Sequence, residues 1–266
     1  MRLKNKVIII TGSCTGIGKA IAIGCVAEGA CIVVHGLEKD LGETVVAELG
    51  LGKAVLHIEE ITTAGAPQRL VELALKIFGR LDAVVNNAAM IVSSNLHTTN
   101  LVFLRRVLEV NTVAPYALIQ AALPHLSKAH GCVLNIGSVN AYSGEPNLMA
   151  YSISKGALMT MTRNLGDTLF REQSVRVNQI NPGWVLTETE IIRKRDHGLA
   201  DDWYKDIPRV YAPAGRILLP AEIAAAAIYW LADESGPVSG QVVDIEQYPF
   251  IGRNPPKDTT TINTPL

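Results

Sequence analysis

Short apolar runs alternate with longer segments of helical period from one end of the chain to the other, and this alternation predicts βαβ units around a parallel sheet. Strands are predicted at Val7–Thr11, Cys31–His35, Ala54–Ile58, Ala83–Asn86, Val133–Ile136, Arg176–Ile180 and Gln241–Ile245. Helices are predicted at Ile17–Glu28, Pro67–Phe78, Leu101–Lys128, Tyr151–Glu172 and Ala221–Ala232. Gly29 and Gly79 stand where the first two of these helices must end, at positions that often need positive φ. The expected architecture is α/β, a doubly wound parallel sheet of about seven strands with helices on both faces. Right-handed crossovers then leave a ligand crevice at the carboxyl ends of the strands. Thr187 to Leu219 shows no clear period and holds mixed charges, Trp203 and Tyr204. It reads as a mobile lid or a weakly ordered insertion, and its place after a strand end favours the lid. A single domain over 1–247 is expected, followed by an irregular tail over 248–266.

Composition narrows the possible functions. The 266 residues are 48% hydrophobic and 18% charged, enough apolar side chain for one substantial core. A formal net charge of −1, with Lys and Arg spread along the chain, offers no basic stripe, so nucleic acid is not an expected partner. The apolar run after Lys6 stops at Thr11 and no other run reaches the length of a membrane span, so a cytoplasmic protein is expected. Cys14, Cys25, Cys31 and Cys132 form no CxxC pair and read as reduced core thiols. His125 and His130 are five apart and do not share a helical face, so no metal site is indicated.

Two places carry candidate chemistry. Thr11-Gly12-Ser13-Cys14-Thr15-Gly16-Ile17-Gly18 lies between a predicted strand and an Ala/Ile-rich helix. Gly12 permits a tight exit from the strand, Gly16 lets the backbone approach a diphosphate, and Gly18 allows close helix-to-strand packing. The free N–H groups and the positive end of the helix then face the anion. Further on, Tyr151 and Lys155 are four apart, which puts both on one face of a helix. A free phenol has a pKa of about 10, so proton transfer near neutrality needs it lowered by about three units, roughly 4 kcal/mol. A neighbouring ammonium acts in that direction. Ser138 follows a predicted strand and would reach a substrate oxygen at the sheet edge, while Asn111 is a polar amide among apolar neighbours and needs a partner.

With these residues in place, the chain from 3 to 247 resembles the short-chain dehydrogenase/reductase family of single-domain Rossmann-fold oxidoreductases. The matching segments are Thr11–Gly18, Asn86-Asn87-Ala88-Ala89, Asn111, Ser138, Tyr151-x-x-x-Lys155, and Pro182-Gly183 followed by Thr187. The resemblance implies that Tyr151 is the general acid/base, that Ser138 orients the substrate oxygen, that Lys155 holds the nicotinamide ribose, and that Asn111 anchors a relay water. It implies a cofactor site along Gly12, Ser13, Thr15, Gly16, Ile17 and Gly18, then Leu37, Glu60 and Ile61, then Asn87, Ala88 and Ala89. The nicotinamide end would lie on Pro182, Gly183, Val185 and Thr187, together with Tyr151 and Lys155. Ser138, Asn140, Glu145, Tyr151 and Trp184 are the expected substrate contacts. A homotetramer or dimer is implied through the long helix from Leu101 and the one from Tyr151.

Three departures from the family pattern matter. Ala89 replaces the usual Gly, Glu60 the usual Asp, and Asp244-Ile245-Glu246 the usual Asp-Gly-Gly. After the second strand, His35-Gly36-Leu37-Glu38 supplies no cation for the extra phosphate of NADP, which would forgo charged hydrogen bonds of about 1.5 to 3 kcal/mol each. NAD is therefore the expected cofactor, with NADP the other candidate and Lys39 a possible offset to Glu38. Glu145 and Asn140 suit a sugar or polyol better than an acyl chain or a steroid, unless Glu145 is only a solvent-facing loop residue. An oxoacyl or other ketone reductase is the alternative within the family. A non-catalytic cofactor-binding regulator would have lost Tyr151 or Lys155, and a methyltransferase on the same turn would lack the pair.

Overall fold

In the computed structural model, which describes residues 1–249, seven parallel strands form one sheet in the order β3-β2-β1-β4-β5-β6-β7. The strands are β1 (Val7–Ile10), β2 (Cys31–Gly36), β3 (Ala54–Ile58), β4 (Ala83–Asn86), β5 (Cys132–Ile136), β6 (Arg176–Pro182) and β7 (Val242–Ile245). The expected irregular tail falls, beyond Pro249, outside the described residues.

Strand residues point alternately to the two faces, which is why these strands are apolar on both. Ile8, Ile10, Ile32, Val34 and Val85 enter one core with α1 (Gly16–Ala27), α2 (Lys39–Leu49) and α9 (Pro220–Leu231). Val7, Ile9, Val33, Val84 and Val133 enter the other with α3 (Ala66–Phe78), α5 (Ala114–Ala129) and α7 (Met149–Gln173). Each fully buried Ile or Val contributes about 1.5–3 kcal/mol by leaving water, so the register is fixed on both faces. The chain leaves β1 toward β2 and β3, then returns to pair β4 with β1. This reversal opens the crevice at the carboxyl ends of β1 and β4.

The structure corrects three expectations. First, Lys39–Leu49 is a helix that the apolar pattern did not predict, because only Gly42, Val45 and Leu49 are buried. A Cβ on Gly42 would lie 2.5 Å from Leu56 Cδ1, so the glycine allows close packing on β3. Second, the helix expected over Leu101–Lys128 is not continuous. It runs as α4 (Leu101–Leu108), a π turn over Glu109–Val113 and then α5. Pro115 has no N–H to return to the Asn111 carbonyl, which breaks the ordinary helical ladder there.

Third, the segment from Thr187 to Leu219, expected as a mobile lid or a weakly ordered insertion, holds a helix and an apolar cluster of its own. It begins with α8 (Glu188–Asp196), where the Thr187 hydroxyl accepts from Glu190 N at 3.1 Å. Acidic Glu188 and Glu190 lie in the first turn of α8 and basic Arg193, Lys194 and Arg195 in the last, the charge order that a helix dipole favours. Ile207, Ala212 and Ile217 then pack with Trp184, Leu186 and Trp203 into a separate apolar cluster. Between β5 and α7 lies a single-turn helix, α6 (Asn140–Ser143).

Candidate active site

The glycine turn leaves β1 at the crevice. Gly12 and Gly16 have φ of +63° and +55°, where a side chain is strained. A Cβ on Gly12 would lie 2.9 Å from Ala88 Cα, and one on Gly16 3.3 Å from Thr187 Cγ2. A Cβ on Gly18 would overlap Gly12 O. The turn is therefore an open cradle between the Asn87–Ala89 segment and Thr187, a shape that fits a diphosphate on the N-terminus of α1.

Not every expected contact residue faces that cradle. Ser13 is fully buried, its N–H donating to His35 O at 2.8 Å and its hydroxyl to Ile10 O at 2.7 Å. The Asn87 amide donates to Thr11 O and Gly12 O, both at 2.9 Å, and the Thr11 hydroxyl accepts from Asn87 N and Ala88 N at 3.0 Å. These groups brace the turn from behind. His35, missed in the sequence, completes the brace: Nδ1 accepts from Gly12 N at 3.4 Å, so Nε2 carries the proton toward Glu59 O at 2.9 Å. Burial, then neighbouring His57, pushes its pKa down to about 4 and keeps the ring neutral.

At the far end of the crevice Leu37 is exposed, and the Glu38 carboxylate folds back to accept from Leu37 N at 3.3 Å. Lys39 turns instead toward Glu43, 3.6 Å away. Glu60 is held by Arg106 at 2.7 Å, and Ile61 is buried beside it.

The remaining candidates converge on the carboxyl ends of β4, β5 and β6. Tyr151, Lys155, Ser138 and Asn111 are all buried. Lys155 Nζ donates to Ile136 O at 2.7 Å and lies 5.6 Å from the centre of the Tyr151 ring. Ser138 hydrogen-bonds the Tyr151 phenol, and its N–H donates to Asn181 Oδ1 at 3.1 Å. The Asn111 amide finds its partners in Met90, accepting from N at 2.7 Å and donating to O at 3.0 Å, and in Ser154 Oγ at 2.9 Å.

The expected depression of the phenol pKa by the ammonium is not what this geometry yields. Burial pushes Tyr151 up to about 12, with the Ser138 hydrogen bond opposing. Burial likewise brings Lys155 down to about 7. The same burial disfavours the charged form of the lysine, so it does not offset the desolvation of the phenol.

Opposite this cluster runs Pro182 to Thr187. Val185 is buried and bridges to Leu218. The Trp184 ring stacks on Trp203 at 5.2 Å, and its Nε1 donates to Glu190 Oε1 at 2.8 Å. Glu190 also chelates Arg193 through Nε and Nη2 at 2.8 and 2.9 Å. Arg193 lies within electrostatic reach of both Tyr151 and Glu145. Glu145 is exposed at the mouth, and Asn140 starts α6 with its N–H on Ser138 Oγ at 3.2 Å. Glu190 and Arg193 were missed in the sequence, although Thr187-x-x-Glu190 is the capping signature that would have placed them on a helix facing the site.

Comparison with known proteins agrees with this geometry. Residues 12–247 match the family model described as enoyl-(acyl carrier protein) reductase. Among curated relatives, L-fucose dehydrogenase of Mus musculus is 36% identical over 88% of this chain and 84% of its own length. The NADP-dependent (R)-specific alcohol dehydrogenase of Lentilactobacillus kefiri is 32% identical over 88% and 92%. The solved structure of 3-ketoacyl-(acyl-carrier-protein) reductase from Brucella melitensis, complexed with NADH, superposes with a TM-score of 0.80 at 27% identity, covering 91% of this chain and 97% of that one. The chain thus belongs to the short-chain dehydrogenase/reductase family, NAD(P)-dependent oxidoreductases acting on alcohol and carbonyl groups.

Proposed function

We propose that residues 1–247 act as one catalytic unit that oxidises a secondary alcohol of a sugar or polyol with NAD. The observation that carries this reading is the buried convergence of Ser138, Tyr151 and Lys155 at the strand ends beside the glycine cradle. Bound NAD supplies the hydride acceptor and, in its oxidised form, a positively charged ring. Gly12, Thr15, Gly16, Ile17 and Gly18 would hold its diphosphate, with Ala88, Ala89, Glu60 and Ile61 along the adenosine side. Lys155 would hold the ribose beside the nicotinamide, and Pro182, Gly183, Val185 and Thr187 the ring. The Ser138 hydroxyl orients the substrate oxygen. As the phenolate, Tyr151 Oη takes the hydroxyl proton while the carbon gives up its hydride, and returns that proton in the reverse direction; the positive charge of the oxidised cofactor would oppose the burial that raises the phenol's pKa. Asn111, at the π turn, would anchor the water that exchanges this proton with solvent.

NAD is favoured by the Glu38 carboxylate just after β2 and by Lys39 being turned toward Glu43 and away from the place a 2′-phosphate would take. Glu145, Asn140 and the Glu190–Arg193 pair supply donors and acceptors at the mouth, a combination suited to a polyhydroxylated substrate. The likeness to an L-fucose dehydrogenase supports the same class. The 3-ketoacyl reductase neighbour favours a second reading, reduction of an oxoacyl thioester. α4, α5 and α7, with the π turn, carry exposed Val102, Val113, Tyr116 and Ile153, which supports assembly as a homodimer or homotetramer through these elements.

A panel of aldoses, polyols, simple alcohols and acetoacetyl thioesters, run with both cofactors and followed at the nicotinamide absorbance, tests the proposal. The expected result is oxidation of at least one sugar or polyol with higher kcat/KM for NAD. Activity confined to thioester reduction, or an advantage of about tenfold or more for NADP, equivalent to about 1.4 kcal/mol, would reject the substrate or the cofactor assignment respectively.

A further inference from the structure

The departure from the family pattern at the end of β7 places a carboxylate against the loop assigned above to the nicotinamide. Glu246 Oε2 accepts from Trp184 N at 3.0 Å, and Oε1 accepts from Gln247 N at 2.7 Å. The loop is drawn to β7 by Gly183 N donating to Ile245 O at 2.9 Å, next to the last register pair, Pro182 with Ile245. The carboxylate occupies the space that a side chain on Gly183 would fill, since a Cβ there would overlap Oε2 and Cδ of Glu246. Gly183 does not need its glycine for positive φ. What requires the glycine is the carboxylate packed on it. The next side chain extends the contact, because the Gln247 amide accepts from Ala214 N at 2.8 Å and donates to Arg216 O at 2.7 Å. The dipeptide therefore grips both ends of the segment from 184 to 216.

We propose that Glu246 is a positioning residue: its carboxylate clamps the Gly183–Trp184 peptide and so sets how the loop from Pro182 to Thr187 meets the nicotinamide half of the cofactor. The physical reason is the freedom of glycine. Without a Cβ the peptide at Gly183 has a wide range of rotation, and a charge-assisted hydrogen bond to the following N–H removes it. The ring of Trp184 is already fixed by Trp203 and Glu190 and its carbonyl by Leu218 N at 3.0 Å, and the carboxylate adds the hold on its N–H. The inference rests on the assignment of this loop to the nicotinamide end.

The test compares two ligands on the full chain by calorimetric titration: NADH, which carries the nicotinamide ring, and ADP-ribose, which ends at the bare second ribose and lacks only that ring. Wild type should bind NADH more tightly. In Glu246→Ala the Kd for NADH should rise by about tenfold, while that for ADP-ribose stays within about twofold. Gly183→Ala should show the same pattern, because its methyl displaces the carboxylate. Gly183→Ala placed in the Glu246→Ala background should add less than about twofold, since the space is then vacant. If Glu246→Ala does not fold, Glu246→Gln, which keeps one acceptor, carries the test with an expected rise of about threefold. Equal losses for both ligands, no loss for either, or independent effects of the two substitutions would overturn the clamp. If wild type itself does not distinguish NADH from ADP-ribose, the loop assignment falls, and the clamp with it. A wild type that discriminates and variants that discriminate equally well would remove the clamp alone.

Discussion

Lys155 is held in the fold at a cost. Its ammonium is buried, its pKa lies near 7 instead of 10.5, and it donates a hydrogen bond to Ile136 O. Because the folded pKa lies below the unfolded one, the unfolded chain holds more protons between pH 7 and 10.5, and stability rises with pH across that window. At pH 7 the penalty is about 4 kcal/mol, offset in part by the hydrogen bond at about 1 kcal/mol. Lys155→Met should therefore melt higher than wild type at pH 7 when no cofactor is added, and the gap should close as the pH approaches 10. The same variant should bind NAD more weakly. Thermal melts across that pH range check it, and a cofactor-free Lys155→Met protein that melts lower at pH 7 would contradict the electrostatic reading. Tyr151, Lys155 and Ser138 were legible in the sequence because spacing on a helix and position after a strand are local properties. Glu246 and His35 were not, because each acts across a tertiary contact that no local pattern records.

At the scale of elements, strands were the most legible part, since apolar runs buried on both sheet faces admit few other readings. The helices that escaped are those whose apolar signal is thin. In α2 three residues are buried, one of them Gly42, and α8 has no fully buried residue and is set by its cap and its charges. The break in the long helix at Asn111 could have been read from Pro115, a proline inside an otherwise unbroken apolar period. One joint between elements has a pH signature. His35 links β2 to the glycine turn after β1 and is neutral, with its folded pKa near 4 against about 6.5 unfolded. The unfolded chain binds the proton first, so stability should fall as the pH drops from about 6.5 to 4, by about 3 kcal/mol for this group. His35→Gln keeps one acceptor and one donor without titrating, and should flatten that fall. Urea midpoints across the window decide it: identical slopes for wild type and variant would remove His35 as the cause.

For the whole molecule, the reversal of strand order between β1 and β4 brings the glycine turn, the Ser138–Tyr151–Lys155 cluster and the Trp184–Trp203 stack to one end of one sheet. The proposed assembly would cover the exposed apolar side chains of α4, α5 and α7. Ile153→Asp, at a position 46% exposed in the single chain, should lower the mass seen by light scattering while leaving the chain folded. An unchanged mass would move the interface elsewhere. The account as a whole turns on the phenol of Tyr151, and the most direct measurement sets turnover beside cofactor affinity in Tyr151→Phe. The ring and its packing remain, and the diphosphate cradle from Gly12 to Gly18 is untouched, so NADH should bind within a few-fold of wild type. General acid/base catalysis contributes about 10²- to 10⁴-fold, and kcat on the best substrate of the panel should fall by at least the lower figure. A folded Tyr151→Phe protein that binds NADH and keeps more than about a tenth of wild-type kcat would contradict the proton-transfer role on which the proposed mechanism depends.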